Sequence, residues 1–144
     1  MKTRYFNFTD KLANLEWLYL LAMRLVLAVG FYGPASKKIQ FFDATATNFG
    51  KMGIPLPTLS AYLATGTEIL VIILLPIGLG VRFIAVPAMI TMLVAIFLVH
   101  WPNFSVSQKG YEIALYYFIM LLALFIKGPG KISLDYWIGK RMRK

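Results

Sequence analysis

Four ionisable side chains, Arg24, Glu68, His100 and Glu112, stand inside or at the ends of long apolar runs. A charge at membrane depth is a candidate functional group, because placing it there alone costs at least ~2.5 kcal/mol on insertion scales. Arg24 lies in the first run, from about Leu15 to Gly33, and Glu68 in the second, from Thr58 to about Leu79. Counted from the connection between these runs, Arg24 is nine residues before Gly33 and Glu68 eleven after Pro57. At the helical rise these depths are roughly 13 and 16 Å. The spacing predicts an Arg24–Glu68 pair facing the interior of a helix bundle. Ser60, Ala61, Ala64 and Thr65 put small residues on the face that carries the acid, which lets helices approach closely. Such a pair is either polar glue that fixes helix register or the wall of a cavity that binds a polar head group or passes a proton.

His100 and Glu112 end the third run and begin the fourth, so a short loop is expected to bring them to one face. A histidine beside a carboxylate shuttles protons near neutral pH, or orients a carbonyl-bearing ligand such as a quinone. The alternative is a hydrogen-bonded pair that anchors the loop. Trp101 and Tyr111 suit an aromatic belt at the headgroups, with Tyr116 and Tyr117 close by. With no cysteine and one histidine, thiolate nucleophiles, disulfides, Fe–S clusters and multi-histidine metal cages are excluded. Seven methionines do not cluster as a ligand motif, so no metal site is expected. Gly78-Leu79-Gly80 is no dinucleotide fingerprint, since Phe83 holds the third glycine position and no strand precedes it. No nucleotide or Fe–S cofactor is therefore expected, and the ligand expected is a quinone or another small molecule.

The elements that must position these residues are membrane helices. The chain has 144 residues, 59% hydrophobic and 15% charged, with a net charge of +9. A chain this short cannot hide so much apolar surface in a soluble interior. Spanning a bilayer takes roughly 20 helical residues, and four runs approach that length: 15–33, 58–79, 83–101 and 111–126. In lipid each backbone polar group needs an internal partner, so these runs become helices, with mild kinks at Pro76 and Pro87. With the N-terminus inside, the inner segments hold Lys2, Arg4, Lys11, Arg82, Lys127, Lys131, Lys140, Arg141, Arg143 and Lys144. The outer loops hold Lys37, Lys38, Lys51 and Lys109, so both termini are expected to face the cytoplasm. Basic residues at membrane edges explain the net charge without nucleic acid, and an arginine inside the first run argues against a cleaved signal peptide. Ser36 to Phe49 carries Ile39, Phe42, Ala46 and Phe49 at helical spacing, as an interfacial helix would. Leu134, Trp137, Ile138 and Met142 form a second stripe beside a basic tail suited to anionic headgroups. The expected fold is all-α: one membrane domain over 1–144, an antiparallel four-helix transmembrane bundle with an outer amphipathic loop helix and a basic C-terminal interfacial helix. Its first partner is the lipid bilayer.

The chain also resembles the DoxX family of small four-helix bacterial membrane proteins. The resemblance rests on Met23-Arg24-Leu25, Lys38, Gly53-Ile54-Pro55, Tyr62-Leu63-Ala64, Glu68, Val99-His100 and Gly110-Tyr111-Glu112. Gly128-Pro129-Gly130-Lys131 and Ser133-Leu134-Asp135 complete it. The stretches Ala61 to Glu68 and Tyr117 to Phe125 resemble an HvfX-like branch associated with biosynthesis of copper-binding peptides, although the loop from His100 to Tyr111 is shorter than in some members. The resemblance implies a cytoplasmic (inner) membrane location and association with thiosulfate:quinone oxidoreduction, terminal oxidases or redox-stress complexes. It also puts Arg24, Glu68, His100 and Glu112 on the family's polar positions, with Lys38, Trp101 and Tyr111 as contributors.

Three functions follow as expectations. The first is a redox-associated inner-membrane subunit: Arg24 and Glu68 hold a quinone-like head group, His100 and Glu112 exchange its protons, and a soluble or membrane partner carries the electron-transfer cofactor. The second is a non-enzymatic scaffold or handling factor for a metal-buffering, copper-binding peptide or another periplasmic partner. The third is a small-solute or proton carrier, which four helices without a repeat would support only as a homo-oligomer.

Overall fold

The computed structural model describes residues 15–143, and these are helical apart from short connections. The N-terminal basic residues Lys2, Arg4 and Lys11, and the terminal Lys144, lie outside the described residues. Helix α1 runs Glu16–Gln40, α2 Phe42–Lys51, α3 Pro57–Ile77, α4 Val81–Val94, α5 Glu112–Lys127 and α6 Leu134–Met142. A π-helical turn, Ala95–His100, continues α4, and a 3₁₀ turn, Val106–Gln108, lies in the connection to α5.

Helices α1, α3 and the joined α4–π segment are each long and apolar enough to cross a membrane. At 16 residues, α5 is shorter than α1, α3 and the joined α4–π segment. Helix α1 packs chiefly on α3, and α4 chiefly on α5; the α3–α4 and α1–α5 faces close the bundle. The core between them is Leu20, Leu27, Phe31, Val71, Leu75, Val81, Ile84, Leu121 and Leu124. The outer surface is also apolar: Phe83 is 86% exposed, Val29 77% and Ile126 63%. In water that surface would drive aggregation, whereas in a bilayer it meets lipid tails. The molecule is an all-α transmembrane bundle.

Helix α1 differs from the sequence expectation in length. It does not stop at Gly33 but runs through Pro34 to Gln40. A proline inside a membrane helix loses one backbone hydrogen bond and neighbouring helices compensate, as at Pro76 and Pro87. The seven added residues, about 10.5 Å of rise, displace the register of α1 against α3. The amphipathic stretch expected from Ser36 is consequently split, with Ser36–Gln40 ending α1 and α2 starting at Phe42. Helix α2 lies against α3, where the Phe42 and Tyr62 rings are 4.3 Å apart.

Helix α3 starts with proline at its first turn, where no amide partner is needed. It ends in a Schellman pattern: Leu79 N–H donates to Leu74 C=O at 3.1 Å and Gly78 N–H to Leu75 C=O at 3.1 Å. Gly78 has φ +74°, and a Cβ there would run into Ser133 and the Arg24 guanidinium, so glycine is required by conformation and by space.

Candidate functional site

Glu68 projects from the middle of α3 and is 2% exposed. Its partner is Lys38, in the last turn of α1, whose Nζ donates to Oε1 at 2.7 Å and to Oε2 at 2.9 Å. The Lys38 side chain is 19% exposed, so its stem is sheltered while its ammonium is held inside the bundle. Removing that lysine would leave the buried Glu68 carboxyl group without its hydrogen-bond donor.

The expected Arg24–Glu68 pair does not form. Arg24 is fully buried near the other end of α1, where Nη1 donates to Leu75 C=O at 3.4 Å and Nη2 donates to Ile132 C=O. Leu75 is seven residues, about 10.5 Å of helix, from Glu68. The physical cause is the longer α1: with its end at Gln40 rather than Gly33, Lys38 reaches the level of Glu68 and Arg24 passes below it. Leu75 C=O belongs to the last turn of α3, the negative end of the helix dipole, so Arg24 meets partial negative charge in place of a carboxylate. Asp135 adds attraction at longer range. Arg24 thereby clamps the segment before α6 onto the end of α3. Asp135 completes the clamp: its carboxylate accepts from Gly80 N–H at 2.8 Å and Val81 N–H at 3.1 Å, capping α4, while its own N–H donates to Gly78 C=O at 3.0 Å.

His100 and Glu112 are likewise not partners. His100 Nδ1 lies 2.6 Å from Lys109 C=O. A carbonyl only accepts, so Nδ1 is the donor of this bond and Nε2 is the ring nitrogen that it leaves over. Glu112 accepts from Val106 N–H at 3.1 Å and from Tyr116 O–H at 2.9 Å. Each residue therefore stitches a different part of the connecting loop. Trp101 stacks on Tyr111 with ring centroids 5.8 Å apart, beside Phe104. Gly110 is essential to this loop because a Cβ there would strike the backbone of Asn103 and Phe104.

Lys38 and Glu68 line a cavity of about 540 Å³ between α3 and α4, flanked by α2. Its polar groups also include Asn48, Ser60, Thr67, Thr91 and His100; Ile54, Leu63, Ala64, Ile90, Met92 and Val99 give it apolar walls. Ala95, Val99 and His100 come from the π-helical turn, a local widening that often accompanies functional sites. The size and the mixture of apolar walls with few converging polar groups suit a small organic ligand. Arg24, Glu112, Trp101 and Tyr111 are not among the lining residues. Among the described residues, no three of His, Cys, Asp and Glu gather where they could hold a metal ion.

Lys38 is the residue that spacing alone passes over. The signal available was Pro34: once a proline is tolerated within a membrane helix, Lys38 becomes a helical residue facing the second run. The capping role of Asp135 carries no such local signal, since it joins positions more than fifty residues apart.

Comparison with known proteins places this geometry. The DoxX family model matches residues 19–101. The chain belongs to the DoxX family. The matched stretch holds Arg24, Lys38, Glu68 and His100, so the buried ion pair lies within it, while Glu112, α6 and the Ile132 and Asp135 half of the arginine clamp lie beyond it. An uncharacterized protein of Haemophilus influenzae is 31% identical over 126 residues, covering 84% of this chain and 83% of the relative. Inner membrane protein YphA of Escherichia coli is 31% identical over 142 residues, covering 92% of this chain and 96% of the relative. No solved structure matches.

Proposed function

We propose that this DoxX-family protein is an inner-membrane subunit that binds a small, carbonyl-bearing, largely apolar ligand of the quinone class. The observation that carries this reading is the buried Lys38–Glu68 pair on a mainly apolar cavity of about 540 Å³. A quinone head group needs apolar contact on its faces and a donor at its carbonyl oxygens. The Lys38 ammonium is that donor, Glu68 is the nearby group that takes or returns a proton, and the His100 imidazole at the cavity wall is a further proton-transfer group. When bound, the quinone supplies two-electron, two-proton chemistry; the electrons come from a partner, since this chain has no cysteine and no nucleotide fingerprint of its own. The basic residues favour both termini in the cytoplasm, which turns the α2 end and the cavity outward.

Binding of a short-chain ubiquinone analogue to the purified protein in detergent tests the proposal. Glu68→Gln and Lys38→Met should each weaken binding about tenfold or more, the range for a lost hydrogen bond to a charged group. Ala64→Leu, which narrows the cavity and keeps both charged residues, should abolish binding while the protein stays folded. A wild-type protein that binds no analogue, or an Ala64→Leu protein that binds it as well as wild type, would overturn the reading.

A further inference from the structure

At the opposite end of the bundle a second cavity, about 350 Å³, opens between the start of α1, the first turn of α4 and the 128–131 segment. Its charges divide unequally. Lys127 is spent on Glu16, at 3.1 Å, and Asp135 on the amides of Gly80 and Val81. Arg82 gives one bond, from Nη2 to Ile126 C=O at 3.3 Å, and among the described residues neither Arg82 nor Lys131 makes an ion pair. Lined by three cations and two carboxylates, the recess carries an excess of positive charge, with Arg82 and Lys131 as its cations outside any ion pair among the described residues. The lipid-facing surface begins one residue from the basic groups: Phe83 follows Arg82 and Ile126 precedes Lys127, and both are strongly exposed. Trp17, at the rim, suits the headgroup level.

From this juxtaposition we propose that the recess binds the phosphate of an anionic phospholipid, with Arg82 and Lys131 as its cationic ligands and the acyl chains lying along Phe83 and Ile126. Arginine supplies a planar fork suited to phosphate oxygens, and Lys131 adds a point charge. A free phosphate would satisfy the same cations but would make no use of the adjoining apolar surface.

Native mass spectrometry of the detergent-purified full chain, titrated with phosphatidylglycerol or phosphatidylcholine, reads this directly. The wild type should retain one phosphatidylglycerol in preference to phosphatidylcholine. Arg82→Gln/Lys131→Gln should weaken that retention by about thirtyfold, the loss expected for two basic residues at a membrane surface. Arg82→Lys/Lys131→Arg, which keeps the charge, should hold the lipid more tightly than the glutamine variant, and Lys37→Gln/Lys51→Gln at the opposite end of the bundle should hold it as wild type does. Equal retention of the two lipids by wild type would overturn the proposal, as would loss caused equally by the Lys37→Gln/Lys51→Gln variant. Binding of inorganic phosphate without phosphatidylglycerol would overturn it in favour of a soluble anion.

Discussion

Lys38 and Glu68 are thirty residues apart in the chain and joined through both carboxylate oxygens. In this setting the pair matters more through what its breakage leaves behind than through its net attraction, because a lone buried charge has lost its water. Lys38→Met should therefore destabilise the detergent-solubilised protein by about 3 kcal/mol or more, while Lys38→Met/Glu68→Leu should recover most of that loss. Unfolding of the single and double variants checks it; a double variant as unstable as the sum of its single changes would deny the coupling. That Glu68 needs a partner is legible in the sequence, since an acid in an apolar run demands one. Which cation answers is not legible, because the choice turns on where α1 ends. Arg24 shows the converse: its carbonyl partners, Leu75 and Ile132, have no residue-type signature.

Among the elements, the ends of the helices hold most of the information. The Gly78–Gly80 turn between α3 and α4 serves at once as a helix stop, a seat for Ser133 and a landing point for Asp135. The pattern Gly78-Leu79-Gly80 is thus turn chemistry, with positive φ at both glycines. Removing the cap by Asp135→Ala should cost about 1 kcal/mol, and hydrogen exchange should speed up first at Gly80 and Val81. Unchanged protection of those two amides would show that the carboxylate is dispensable. The helix content and the order of the elements follow from apolar runs interrupted by Gly–Pro turns. The π-helical turn at Ala95–His100 does not, because the sequence AIFLVH has no proline or glycine to mark it and the widening depends on packing against neighbours.

For the whole molecule, four bundle helices bring the start of α1 and the end of α5 to the same side. The described basic residues favour the α6 end, with Arg82, Lys127, Lys131, Lys140, Arg141 and Arg143 there against Lys37, Lys38, Lys51 and Lys109 at the other. A reporter that is active only in the cytoplasm should work when fused after Lys144 and fail when inserted in the 101–111 connection; the reverse pattern would invert the proposed topology. The proposed orientation would put the Arg82–Lys131 recess on the cytoplasmic leaflet and the Lys38–Glu68 cavity toward the outside.

Hydropathy alone determined the membrane environment, the all-α class and the set of ionisable groups that had to be answered inside it. These depend on local composition, because a bilayer makes each long apolar run satisfy its own backbone. The tertiary structure decided the pairing: Lys38 in place of Arg24 beside Glu68, and separate loop anchors in place of a His100–Glu112 pair. A shift of two helical turns changes every cross-helix partner while leaving the hydropathy of each run untouched, and only packing distinguishes one register from the other.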